Sequence, residues 1–252
     1  MAASLLFPGI DGVHRWLPIG PTHLNVSMAF VPIILYAIGT TLSHKAFLPI
    51  ALVIGVSIIH VLQPDAGQAT TFGSAAIVIF LLTNGVPFYV RCIGIVVIAT
   101  GMMWTWRQTD ALPAVEYVEH ILHLAASMGI YGIALITIAI TSLLAPILYT
   151  LLLRQKISSE NDILATAFAV YLVAAFGVTE MGNYPVPIIG AGASSVLGWY
   201  FIIGLTAVRY PAPKLPNTSA STKYGSPVGP VEAPWQYGHW SGHGMSAARN
   251  DT

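Results

Sequence analysis

Leu62-Gln63-Pro64-Asp65-Ala66-Gly67 interrupts a chain that is otherwise almost continuously apolar. A second interruption is Pro185-Val186-Pro187-Ile188-Ile189-Gly190-Ala191-Gly192-Ala193-Ser194-Ser195. Each lies at the mouth of an apolar segment, where Pro and Gly break helices and free backbone groups need partners. At membrane depth such backbone persists only where protein or a water-filled cavity covers it. The two stretches therefore mark the expected working end of an integral membrane protein.

Composition agrees. Of 252 residues, 55% are hydrophobic and 8% charged, with a mean hydropathy of +0.72. Soluble domains carry about 25% charged residues. The formal net charge of zero gives no reason to expect a nucleic-acid partner. The single cysteine, Cys92, excludes an internal disulfide and a cysteine-based zinc site. Residues 1–20 show no basic stretch followed by an apolar run, so they do not read as a secretory signal.

A helix crosses the bilayer with about 20 apolar residues. Seven segments qualify, at 24–42, 46–63, 69–85, 87–105, 119–153, 162–181 and 187–208. The expected fold is an all-α polytopic transmembrane bundle. The fifth segment is too long for one crossing, so it either extends past the membrane or bends near Pro146. Asn84-Gly85-Val86-Pro87 reads as the turn between the third and fourth segments.

With the N-terminus outside, alternation puts Lys45, Arg91, Arg154, Lys156, Arg209, Lys214, Lys223 and Arg249 inside, and only Arg15 and Arg107 outside. That bias predicts an N-out, C-in topology, with both interruptions on one outer face. The organisation follows: a short outer segment 1–23, a transmembrane bundle 24–208, and a Pro/Gly/Ser-rich cytoplasmic tail 209–252. Trp235, Tyr237 and Trp240 make the tail either a solvated extension or an arm laid on a partner; His239 and His243 are too few for a metal tract.

Several side chains carry candidate chemistry. Asp65 after a proline at a helix mouth reads as a cap for the following helix, or as a functional carboxylate in a cavity. Glu116, Glu119, His120 and His123 form E-x-x-E-H-x-x-H. On a helix they share one broad face, with ligand types that suit a divalent metal such as Zn, Cu or Fe, and His60 can join from a neighbouring helix. The bland reading is an interfacial helix start. Glu180, near the outer end of the sixth segment, is an intramembrane ionisable group or a snorkelling one. Arg91 reads as snorkelling to the inner interface.

At these motifs the chain resembles the SEDS family of peptidoglycan glycosyltransferases, the RodA/FtsW type. Arg15-Trp16-Leu17-Pro18-Ile19-Gly20-Pro21 resembles the stretch before one family helix, with Ser27 matching the serine of the Gln-Pro-Ser-Glu that follows there. Leu62-Gln63-Pro64-Asp65-Ala66-Gly67 resembles LQPDxG. Pro185-Val186-Pro187 with Gly192-Ala193-Ser194-Ser195 resembles PLPFxSYGGSS. The resemblance spans residues 14–208 and implies a ten-helix fold of which this chain supplies the last seven, N-terminus outside.

It also implies chemistry. Family members carry a long outer loop ending in a motif like LPEAHTDFIFA, whose Asp is the catalytic base. Here that link is short, and anchoring on Gly129-Ile130-Tyr131-Gly132 puts Val118 at the Asp, with Glu119 one position away. Transfer from a polyprenyl-linked donor needs a base and a stabiliser for the pyrophosphate. The outer face offers Asp65 or Glu119 as base and few cations. The leading expectation is thus a SEDS-like subunit or scaffold without transferase activity, in the bacterial inner membrane. It would work beside other membrane subunits and bind membrane lipids, among them a polyprenyl-linked lipid. Its groove would be lined by Arg15, Gln63, Arg107, Glu180, Pro185, Pro187, Ser194 and Ser195. The alternatives are a minimal lipid-linked glycosyltransferase and a metal-binding or transport-related subunit built on the Glu/His cluster.

Overall fold

The computed structural model describes residues 1–108, 112–152, 159–190 and 192–210. Ala191, Arg154, Lys156 and the tail residues singled out above from Lys214 onward lie outside the described residues.

A 3₁₀ turn, Ala2–Leu6, leads into a hairpin of β1 (Trp16–Ile19) and β2 (Thr22–Asn25), antiparallel with Trp16 opposite Asn25 and Ile19 opposite Thr22. The hairpin is an addition to the all-α expectation. The two-residue connection suits it because Gly20 takes a positive φ of 58°.

Eight α-helices follow among the described residues: α1 (Val26–Thr41), α2 (Phe47–Leu62), α3 (Ala66–Leu82), α4 (Phe88–Trp106), α5 (Ile121–Ser127), α6 (Gly129–Leu152), α7 (Glu160–Thr179) and α8 (Ala193–Arg209). By length and composition α4, α6 and α7 can each cross a membrane; α1, α2, α3 and α8 are shorter apolar helices.

Local chemistry sets the boundaries. The Asn25 side chain accepts from the Met28 amide at 3.0 Å and starts α1. Asp65 does the same for α3, accepting from the Gln68 amide at 3.0 Å, which moves that helix three residues upstream of the expected start. Ser159 and Asp162 form a capping box at α7. Helices α3 and α4 are separate, as the Asn84–Pro87 turn implied. Arg91, expected to snorkel, has a partner set of its own at this turn. Its guanidinium donates to the Leu81 carbonyl at 2.7 Å, Thr83 at 2.6 Å and Val86 at 3.3 Å, closing the carbonyl end of α3.

Two segments depart from expectation. The fifth breaks at Met128–Gly129, where Gly129 takes a φ of +69°, while Pro146 is carried inside α6. Glycine in the left-handed region ends a helix at little cost. The last helix begins at Ala193 rather than 187, because Pro185 and Pro187 cannot extend a helix and Ile188 sits at φ 64°.

Helix α3 packs on α7 and α4, α1 on α8, and α2 on α4. The core gathers Leu35 and Ile38 of α1, Phe72 and Phe80 of α3, and Leu164 and Phe168 of α7. Small residues bring these helices close: Phe80 lies against Gly94, and Met102 against Gly73. In α7, 72% of the apolar window is buried, against 6% in α6. The former is central and the latter peripheral.

Candidate functional site: a capped polar end of the bundle

Both interruptions fall at the same end of the bundle, with the hairpin and the 112–120 segment. Arg15, just before β1, lies against the break between α2 and α3. Its Nη2 donates to the Pro64 carbonyl, and its Nε is 3.8 Å from Asp65 Oδ2. Both side chains are buried, at 8% and 2% exposure. Asp65 therefore caps α3 with one oxygen and faces Arg15 with the other.

Gln63 knots the neighbouring strands of chain. It accepts from Ser27 Oγ at 3.0 Å and donates to Ser4 Oγ at 2.8 Å. Ser194 accepts from the Asn25 amide at 2.8 Å, tying the second interruption to the start of α1. Ser195 accepts from the Ile188 amide at 3.3 Å and donates to the Gly192 carbonyl at 3.1 Å, holding its own turn.

Beneath them lies a polar network absent from the expected set. Tyr184 donates to Gln68 Oε1 at 2.6 Å, and Gln68 donates to Tyr171 Oη at 3.0 Å. Burial pushes the Tyr184 phenol well above its usual range, so it stays a donor. The network joins the 182–190 linker, α3 and α7. A glutamine inside an apolar helix is a visible signal of a polar contact. Its partners were not readable, because Tyr184 lies 116 positions from Gln68.

A cavity of about 280 Å³ opens here, lined by Arg15, Gly67, Thr105, Trp106, Gln108, Asn183 and Tyr184, among others. Gln108 Oε1 is buried and has no hydrogen-bond partner among the described residues. A smaller cavity of about 30 Å³ sits beside it, lined by Asp65, Glu119, Pro185 and again Arg15 and Tyr184. An apolar groove of about 510 Å³ runs between α2 and α4 and ends at Leu62 and Trp104. The larger cavity begins at Pro64, Thr105 and Trp106. The two end within one or two residues of each other along the chain at both α2 and α4, with no lining residue in common.

The other expected residues are placed as follows. Pro187 lines a chamber of about 20 Å³ with Met28, Tyr171 and Tyr184. Arg107 is exposed at the end of α4 and lines neither of these two cavities. Glu180 caps α7 and reaches His123 at 3.0 Å, the pair being 46% and 68% exposed; it sits on the rim, outside both cavities. Glu119 Oε2 accepts from the Val115 amide at 2.7 Å, closing the turn before α5.

Of the Glu/His set, the His120 and His123 rings are 5.8 Å apart, and Glu116 is exposed. His60, in α2, is fully buried against Phe72 of α3. Among the described residues no group of three or more His, Cys, Asp or Glu is positioned to hold a metal ion. His60 is separated from the others because it faces the core, while they line the start of α5.

No family model matches the chain, and no curated protein matches it. Among solved structures it is similar to a mutant of the rod shape determining protein RodA from Thermus thermophilus. The TM-score is 0.56 at 20% identity, covering 82% of this chain and 74% of that one. The fold is that of a multi-pass α-helical membrane bundle.

Proposed function

We propose that the chain is a SEDS-like membrane subunit of the bacterial inner membrane. In this reading it holds a polyprenyl-type lipid with a polar head, has no glycosyltransferase activity of its own, and works beside other membrane proteins. The observation that carries the reading is that an apolar groove and a polar cavity follow one another along α2 and α4, the first ending at Leu62 and Trp104 and the second beginning at Pro64 and Thr105. One of the two suits a long apolar tail. The other offers Arg15 near an anionic head, Gln108 Oε1 as an acceptor and the Trp106 ring as a wall.

The lack of transferase activity rests on what the two candidate bases are doing. Asp65 is committed to a helix cap through one oxygen and faces the Arg15 guanidinium with the other. Glu119 accepts a backbone amide in a turn, and Val118 stands where the family's base aligns. A general base must reach the hydroxyl it deprotonates.

The test uses the purified chain in nanodiscs with a polyprenyl-pyrophosphate-linked disaccharide. Saturable binding, weakened at least tenfold by Arg15→Gln, with no polymer formed, is the expected result. Polymer formation abolished by Glu119→Gln or Asp65→Asn would replace this reading with the minimal transferase.

A further inference from the structure

Tyr184 is shared by three separate cavities. It lines the 280 Å³ and 30 Å³ outer cavities and the 20 Å³ chamber behind them, whose walls include Met28, Tyr171, Ala175 and Trp199. The side chain is only 4% exposed. Two features hold it in the dividing position. Its hydroxyl donates to Gln68 at 2.6 Å, and its ring lies flat against Gly67, where any Cβ would overlap it. The residue is carried by the non-helical 180–190 stretch rather than by a helix, so the backbone beneath it can shift without breaking a helical hydrogen-bond ladder.

We infer that Tyr184 is a partition: its side chain separates the outer cavity from the chamber between α1, α7 and α8, and its displacement joins them. Gly67 and Gln68, side by side in the first turn of α3, form its seat. Gly67 gives the ring room and Gln68 latches its hydroxyl. The partition sets how deep an occupant entering from the outer face can reach. It goes beyond the proposed function, because it holds whichever lipid, if any, fills the outer cavity.

The test is thiol accessibility, which needs no ligand. Cys92→Ser removes the native thiol, and Ala175→Cys places one in the chamber behind Tyr184, at a residue 1% exposed. The full chain is reconstituted in nanodiscs and treated with a small cationic methanethiosulfonate. With Tyr184 in place, labelling is expected to be slow. Tyr184→Ala is expected to speed it at least tenfold, and Gly67→Ala, which forces the ring off its seat without removing it, to act in the same direction. Tyr184→Phe keeps the volume and loses only the latch, so it should fold even where the alanine variants do not, and raise the rate several-fold. Fast labelling with Tyr184 intact overturns the partition. So do equal rates in every variant that elutes as a monodisperse folded species.

Discussion

Asp65 shows how one side chain serves two purposes at a helix mouth. One oxygen satisfies the Gln68 amide, and the other faces the Arg15 guanidinium 3.8 Å away. The two contributions separate by substitution. Asp65→Asn keeps an acceptor for the cap and loses the charge; Asp65→Ala loses both. Loss of an N-cap costs about 1 kcal/mol, so the alanine variant should unfold at the lower temperature of the two in detergent, by roughly that increment. Equal destabilisation would mean that the cap contributes nothing. The cap itself was legible, because an acidic residue directly before an apolar run has few other uses. Tyr184 was not. Nothing near it in sequence calls for a hydroxyl acceptor, and its partners Gly67 and Gln68 are brought to it only by the pairing of α3 with α7. His60 misled in the opposite sense. Its spacing from the Glu/His cluster said nothing about which face of α2 it occupies, and that face is the core.

At the scale of elements, the fifth apolar segment is the instructive one. Pro146 drew attention as the bend, yet α6 runs through it; membrane helices tolerate proline where neighbouring groups or small local adjustments satisfy the freed carbonyl. The break comes where Ser127-Met128-Gly129 supplies a left-handed stop and where Gly132 lets the Ala125 carbonyl close in on the next turn. Gly132→Ala should therefore destabilise the α5–α6 corner, since the added carbon meets backbone that cannot step aside. Pro146→Ala should leave stability unchanged or raise it, because alanine restores a helix hydrogen bond. Thermal melts of the two variants side by side check the ordering. Arg91 makes a similar point for α3. It donates to three carbonyls at and just beyond the helix end, and Arg91→Met should lower stability by roughly 2 kcal/mol, the scale of losing charge-assisted bonds. An interfacial arginine that merely snorkels would show almost no change. Sequence alone favoured snorkelling because long basic side chains near a helix end usually do so. The carbonyls of Leu81 and Thr83 come within reach only once α3 and α4 are folded against each other.

For the whole molecule, the apolar segments were legible because the bilayer imposes length, and the shared end because both interruptions lie at helix mouths. Which helices lie at the centre was not. In a chain apolar on every face, burial leaves little trace in the pattern, so central α7 and peripheral α6 read alike. The orientation itself has a direct test in the lone thiol. Cys92 is exposed and sits in the second turn of α4, at the end of that helix away from Trp106 and the outer cavity. If Asp65, Arg15 and the 182–190 linker face outward, Cys92 faces the cytoplasm. A membrane-impermeant maleimide should then leave it unmodified in intact spheroplasts and label it in inverted vesicles. A second reporter fixes the other side: with Cys92→Ser, a thiol at the exposed hairpin position Thr22 should be labelled in spheroplasts and protected in inverted vesicles. Both reporters reversed would mean that the charge bias was misread and that the groove and cavity open toward the cytoplasm. The lipid occupant proposed here would then have to arrive from the inner leaflet.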